Sequence, residues 1–390
     1  MESQSGAGSG VEDLPEVARV NLVTAALKLV GAVRPPSDSI MSWFANISMV
    51  SAVRLFQHWD AFNLIPYTGR HDCISYADLA AKLQAEESLL YRIASMLTST
   101  GVLEHVAPNH LAHTPISLLL RENEPLGSMF KVMYALVLET STILPSYFDT
   151  YGWKEPIGPT HVPSSFLEGK PELAYFDLVS QDPARMENFM CAMSVANRGR
   201  VVTTGVYPMD FVLGAAEREP DRKIWVDVGG GSGNTVKQFL LKNPRLKGSQ
   251  CVVQDLPDVC EAAQQQADKT LRGVTWVPIN FHKQAPIEGA MIYYIRHIAR
   301  DYSDPVLTKI LRNIRSAMTR PDSKVLISEQ LSSTPPNVYA AFRDYSMMSI
   351  GGKERNLEQF RVVVEDAGLK VSGVFKDKQT PQAVIECSLP

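Results

Sequence analysis

Three short runs carry residue types that could do chemistry. The apolar run KIWVDV leads directly into GGGSGN, with glycines at 229, 230, 231 and 233. Glycines spaced like this permit a tight turn and close approach of a ligand to the backbone, and a helical pattern opens at once behind them. The next apolar run ends in VVQDLPDV, where Asp255 can accept hydrogen bonds from two ribose hydroxyls. A glycine turn alone is a weak signal, and an aspartate after a strand is often only a helix cap. Coupled at this distance, they favour a nucleoside contact. The GxxxxGKS/T phosphate grip is missing, which counts against a nucleoside triphosphate. The third run, YYIRHIARDYSD, places Arg300 and Asp301 after a further apolar stretch. Deprotonating a guanidinium at pH 7 would cost roughly 7 kcal/mol or more, so Arg300 can donate hydrogen bonds and hold charge but cannot serve as a general base.

These runs need a scaffold. After Asp221 the pattern alternates between strands near KIWVDV, QCVVQD, VTWVPI, MIYYIR, KVLISE, LKVSGVF and AVIECS and helices between most of them. That order predicts an α/β, doubly wound sheet whose ligands bind at the carboxyl ends of the strands. Residues 126–205 have helical spacing rich in aromatics and methionine. Such stripes are usually core, although Phe189, Met190 and Met193 could also wall an apolar pocket. Upstream, VARVNLVTAALKLVGAV is stopped by Arg34-Pro35-Pro36, and a second helical run follows. The pair has more apolar surface than one small layer can bury, which points to a second subunit. From Ile74 to Leu120 a short helix, a longer helix ending near Gly101 and a hairpin at Pro108-Asn109 make a winged-helix pattern. Its acidic residues outnumber its basic ones, so a structural role outweighs DNA binding. Residues 1–12 read as a disordered tail.

Composition narrows the class. The 390 residues are 45% hydrophobic and 21% charged with a formal charge of -4, enough for a large core and no reason for a polyanionic partner. The start lacks the regions of a signal peptide, no run of about 18 uncharged apolar residues appears, and the expected location is the cytoplasm. Five scattered cysteines with no CxxC pair predict reduced thiols and no metal.

Taken as a set, DVGGGSG, QDLPDV, YYIRHIARDYSD and GGKERNLEQFRVVVEDAGLKV resemble the successive motifs of plant and fungal class I O-methyltransferases that use S-adenosylmethionine. The resemblance covers nearly the whole chain. It implies a C-terminal Rossmann-like domain over 206–390, a helical pocket region over 126–205 and an N-terminal helical, winged-helix-like dimerisation domain over 13–125, with a homodimer as the assembly. It implies cofactor contacts from Gly229 and Gly231, from Asp255 and Leu256, from Asn280 where the family has an aspartate, from Phe281, and from Arg296.

The family's fourth strand leads to a pattern resembling I-L-H-D-W-S-D, whose histidine takes the substrate proton. Here the sequence is I-A-R-D-Y-S-D, and Arg300 stands in the histidine's place. Glu329 and Glu354 match the two acids that orient that histidine, with a plainer role as partners of Arg300. His297 reads as a strand-end structural residue and His282 as solvated. An arginine-aspartate pair in a methyltransferase frame resembles the fungal O-methyltransferase-like pericyclases of 2-pyridone alkaloid biosynthesis. That resemblance implies stereoselective dehydration and cycloaddition of a polyketide-derived quinone methide, with Arg300 and Asp301 catalytic and S-adenosylmethionine not consumed. The leporin-type member also has a pocket-helix histidine, whereas FKVMYALVLETSTIL contains none. Two alternatives stay open: an O-methyltransferase acting on an acidic phenol or enol, and a non-catalytic partner subunit. Arg198 and Arg200 are further candidates for substrate oxygens.

Overall fold

The computed structural model describes residues 16–69, 72–197, 206–378 and 380–390. The expected tail and the two candidates Arg198 and Arg200 lie outside the described residues. The chain divides into two compact units, residues 1–122 and 123–390.

In the first unit, helix Glu16–Val33 is followed by Pro36–His58, which Pro36 opens in the first turn, where its missing amide is no loss. Leu27, Leu29, Val33, Met41, Trp43 and Phe44 on these helices are all exposed. Among the described residues, Pro36–His58 is long and apolar enough to cross a membrane by length and composition. It also carries Ser37, Asp38, Ser39, Ser42 and Ser48, which explains why no uniformly apolar run stands out in the sequence. The winged-helix pattern is present. Strand β1 (Ile74–Ser75), helices Tyr76–Leu83 and Glu87–Ser99, and strands β2 (Leu103–Ala107) and β3 (His110–His113) form a three-stranded sheet in the order β1-β3-β2 with its helices. Asn109 makes the hairpin turn at a φ of 60°.

The second unit contains the expected doubly wound sheet. Its strands are β4 (Trp225–Val228), β5 (Cys251–Asp255), β6 (Thr275–Pro278), β7 (Ile292–Arg296), β8 (Lys324–Gln330), β9 (Lys370–Lys376) and β10 (Gln382–Ser388), in the order β6-β5-β4-β7-β8-β10-β9. The first five are parallel, and β10 inserts antiparallel between β8 and β9. All four residues of β4 are buried, as a central parallel strand covered on both faces requires. From β4 the chain builds outward through β5 and β6, then returns to lay β7 on the other side of β4. This reversal opens a crevice at the carboxyl ends of β4, β5 and β7.

Before the sheet, the run FKVMYALVLETSTIL is helical with an interruption. Helix Pro125–Met133 passes into a π-helical segment, Tyr134–Glu139, and then into helix Thr140–Tyr151. The carbonyls loosened there are taken up by hydroxyls: Thr140 donates to Ala135 at 2.9 Å and Ser349 to Leu136 at 2.7 Å.

Candidate active site

Four loops at the carboxyl ends of adjacent strands build the site. After β4, Gly229, Gly231 and Gly233 all have φ near the left-handed region, at 73°, 55° and 73°. A Cβ on Gly229 would stand 2.7 Å from the Ile298 side chain and 3.5 Å from Phe281. The glycine turn thus lies against both the loop after β6 and the loop after β7. Asp255, at the end of β5, accepts the amide of Gly231 at 2.8 Å and that of Leu256 at 2.8 Å. Each oxygen keeps a second lone pair for a ligand hydroxyl. Burial pushes Asp255 above the ordinary carboxylate range against the pull of those two amides.

The other expected nucleoside residues converge on the same edge. Asn280 Oδ1 accepts the amide of His282 at 3.0 Å, so its oxygen closes a local turn. Phe281 packs on the main core, while Leu256 is exposed. His282 is half-buried: its ring lies 4.8 Å from Tyr302 and 4.8 Å from Phe281, and burial lowers its pKa. Arg296 ends β7, with Nη1 3.5 Å from Thr235 Oγ1. Beneath the glycine turn, Asp227 is 2% exposed, its Oδ2 has no hydrogen-bond partner among the described residues, and burial raises its pKa to about 7.

Arg300 lies in a short 3-10 turn, Ala299–Asp301, after His297 takes a φ of 55°. Glu329, near the end of the neighbouring strand β8, places Oε2 4.0 Å from Arg300 Nε and accepts the Arg300 amide at 3.4 Å. Glu354 Oε1 is 3.6 Å from Arg300 Nη1. The two acids and the arginine are therefore together. Burial opposes the Arg300 charge, but Glu329, Asp301 and Glu354 outweigh it and raise the pKa further. Burial also pushes Glu329 up, yet His297 and Arg300 leave it below the usual range, whereas Glu354 is raised, chiefly by burial. Asp301 is pushed up to about 7 by burial. His297 Nδ1 is 3.3 Å from Glu329 Oε2, and burial lowers its pKa to about 4, so the imidazole is neutral at physiological pH. Its left-handed backbone and carboxylate partner agree with the structural role expected for it.

Arg355 was not singled out in the sequence. It is 1% exposed and donates to Ala299 O at 2.8 Å, to Tyr302 O at 2.8 Å and to Asp304 Oδ1 at 2.8 Å. It staples the loop that carries Arg300. Arg343 and Asp344 were missed as well: Arg343 Nε lies 3.3 Å from Glu354 Oε1, and Asp344 Oδ1 accepts the Glu354 amide at 2.9 Å. The only available signal was the charge-rich GGKER run, which does not reveal its partners.

Of the apolar wall residues, Phe189 and Met193 pack with Met133, Val137 and Met347 on a cluster around Leu136 and Ile350, whereas Met190 is exposed. A separate open cleft of about 650 Å³ is lined by Leu144, Pro145, Phe148, Trp153 and Met348; Arg300 and its acids do not line it.

Residues 171–370 match the O-methyltransferase domain family. The methyltransferase cfoD of Aspergillus candidus is 32% identical, the match covering 95% of this chain and 92% of that protein. This chain belongs to the O-methyltransferase domain family. The methyltransferase eqxD of Fusarium heterosporum is 30% identical over 89% of this chain and 94% of its own length. OxaC, crystallised with SAH and oxaline, has a TM-score of 0.84 at 26% identity, covering 96% of this chain and 93% of its own. LepI, crystallised with SAM, has a TM-score of 0.83 at 22% identity, covering 97% and 96%, and shares the fold.

An O-methyltransferase-family chain works with S-adenosylmethionine, and the residues present fit that molecule. The glycine cradle has no room for a Cβ at Gly229, and Asp255 offers a carboxylate to paired hydroxyls. Phe281 supplies an apolar face, and the unpartnered, buried Asp227 oxygen lies under the turn.

Proposed function

We propose that the protein methylates an acidic, conjugated small molecule, a phenol or enol that arrives already ionised, and that Arg300 holds its oxyanion. The observation that carries this reading is a guanidinium clamped between two buried carboxylates beside the glycine turn, where a general base would be needed for a neutral substrate. When bound, S-adenosylmethionine supplies an electrophilic methyl group on a positively charged sulfur. The chain has three tasks: to hold the cofactor through Gly229, Gly231, Asp255, Leu256, Asn280, Phe281 and Arg296, to orient the acceptor, and to exclude water. Glu329 and Glu354 orient the guanidinium, leaving its exposed edge for the substrate oxygen. An acceptor ionised in solution needs no proton removed at the site, so a permanent cation serves where a titrating imidazole would be idle. Relatives named methyltransferases, at 30–32% identity along about nine-tenths of the chain or more, support transfer.

A second reading keeps the site and removes the transfer. In a pericyclase, Arg300 would donate hydrogen bonds to a carbonyl oxygen of a 2-pyridone quinone methide, preorganised stabilisation worth about 3 kcal/mol. Asp301, protonated near neutrality, would assist dehydration of an alcohol precursor. The Arg300-Asp301 pair favours this reading, as does the fold shared with a structure described as a pericyclic reaction enzyme.

One experiment separates them. The purified protein is incubated with methyl-labelled S-adenosylmethionine and a panel of acidic hydroxypyridones and phenols, and S-adenosylhomocysteine is counted against product. One equivalent per methylated product is expected. Cyclised product without S-adenosylhomocysteine would overturn methyl transfer in favour of the pericyclase. No product of either kind, with Arg300→Gln unchanged in its pathway, would leave a non-catalytic partner.

The proposal extends to the assembly. Exposed Leu27, Val33, Met41, Trp43 and Phe44 support a homodimer through the N-terminal helices. Light scattering should give twice the monomer mass, and Trp43→Glu with Phe44→Glu should give the monomer.

A further inference from the structure

We infer that Arg343 is a positioning residue: it holds Glu354 as an anion, and that anion in turn holds the guanidinium of Arg300. This rests on the reading of Arg300 as the group that meets the substrate oxygen. Arg343 belongs to helix Val338–Met348, and its Nε lies 3.3 Å from Glu354 Oε1. That same oxygen is 3.6 Å from Arg300 Nη1. The carboxylate therefore stands between two cations.

Glu354 needs the second one. Its side chain is 2% exposed, so water does little to support its charge. Arg300 cannot neutralise it alone, because the same guanidinium also faces Glu329 and Asp301. One cation among three carboxylates leaves a surplus of negative charge, and like charges in a dry site drive one of them to take up a proton. A protonated Glu354 would hold Arg300 only weakly, because the strong hydrogen bonds of a guanidinium go to an ionised acceptor. The cations that flank Glu354 in the chain are engaged elsewhere. Lys353 reaches Glu155 at 3.2 Å and Asp304 at 3.0 Å, and Arg355 donates to Asp304 and to the carbonyls of Ala299 and Tyr302. His297, which faces Glu329, is neutral. Arg343 is left as the charge that balances Glu354. The electrostatics run the same way: burial raises the Glu354 pKa, Arg300 lowers it, Glu329 raises it and Arg343 lowers it.

The helix that carries Arg343 is anchored at both ends. Asn337 caps its start by accepting the Ala340 amide at 2.9 Å. Near its end Met347 packs in the apolar cluster with Met133 and Val137, and Ser349 donates to Leu136 O at 2.7 Å. Beside Arg343, Asp344 Oδ1 accepts the Glu354 amide at 2.9 Å. Adjacent residues of one fixed helix thus grip the backbone and the carboxylate of Glu354.

The test is nuclear magnetic resonance on the full-length protein saturated with S-adenosylhomocysteine. Glutamate carboxyl carbons are labelled, with the Glu354 signal assigned by its loss in Glu354→Gln, and the Arg300 side-chain N–H is assigned by its loss in Arg300→Lys. Arg343→Met should raise the titration midpoint of Glu354 by about one pH unit or more, about a tenfold gain in proton affinity. Below that midpoint the Arg300 side-chain N–H should exchange with water about tenfold or more faster than in the wild type at the same pH, and above it the two rates should converge. Arg343→Lys, which restores the charge, should recover most of both effects. An unmoved midpoint in Arg343→Met would overturn the inference, and so would a raised midpoint with Arg300 exchange unchanged. Should Arg343→Met not fold, Arg343→Gln, which keeps a donor but no charge, is read by the same two criteria. A merely structural role for Arg343 would not give Arg300 a pH dependence that follows Glu354. Neither readout uses substrate or turnover, so failure of methyl transfer with both results as expected would sink the proposed function and spare this inference.

Discussion

Gly352 lies so close to Arg300 that a Cβ on it would stand 2.4 Å from the Arg300 carbonyl oxygen. The neighbouring Lys353 amide donates to that same oxygen at 2.8 Å. The loop carrying Glu354 is thereby docked on the backbone of the residue whose side chain Glu354 orients.

Gly352→Ala should therefore push the two loops apart. We expect a stability loss of about 1–3 kcal/mol by chemical denaturation and a larger fall in turnover than in cofactor affinity. An unchanged turnover would mean that the loop tolerates the shift and that the close approach has no functional weight.

Arg300→Ala should leave Glu329 and Glu354 buried without their shared cation. Breaking such a pair costs about 3–5 kcal/mol, so the melting temperature should fall clearly and binding of ionised substrate should be lost. Arg300→His is the informative partner, because it returns a titratable group to the cradle of two acids. It should gain activity on neutral phenols with a rate that rises as the imidazole deprotonates, which a pH profile measures.

Asp255→Ala removes the acceptor of the Gly231 and Leu256 amides and the proposed ribose contact together. Hydrogen bonds to charged groups are worth about 1.5–3 kcal/mol, which corresponds to a loss of S-adenosylhomocysteine affinity of about tenfold to a hundredfold by calorimetry. Retained affinity would move the nucleoside elsewhere.

Asp227 gives a pH dependence of defined sign. Its pKa is raised from 3.8 to about 7, so between those values the folded state binds more protons than the unfolded chain. Its contribution to stability is therefore greatest below 3.8 and is lost as pH rises through 7. His297 acts in the opposite sense: lowered from 6.5 to about 4, it favours the fold above 6.5 and withdraws that support as pH falls through 4. Asp227→Asn should be more stabilising relative to wild type at pH 8 than at pH 5. Melting curves of the cofactor-free protein at the two values check this, and an equal difference at both would rule it out.

Much of this architecture is written locally. The strands KIWVDV, QCVVQD, MIYYIR and KVLISE declare themselves because a covered parallel sheet demands unbroken β-branched and aromatic runs. The glycine turn is equally plain, since only glycine holds those φ values at little cost. The π-helical segment Tyr134–Glu139 left no such trace. Its residues have ordinary helical spacing, and one of the carbonyls of the widened turn, Leu136 O, is met by the Ser349 hydroxyl, distant in the chain.

The amino-acid order alone determined a glycine turn after one strand and an arginine that cannot titrate after another, because backbone freedom and intrinsic basicity belong to single residues. Only the folded chain decided what that arginine means. Glu354 reaches Arg300, Arg355 pins the loop that carries Arg300, and His282 meets Tyr302, all through contacts between separate elements. Such partnerships arise from strand order and loop docking, and no spacing within one segment encodes them.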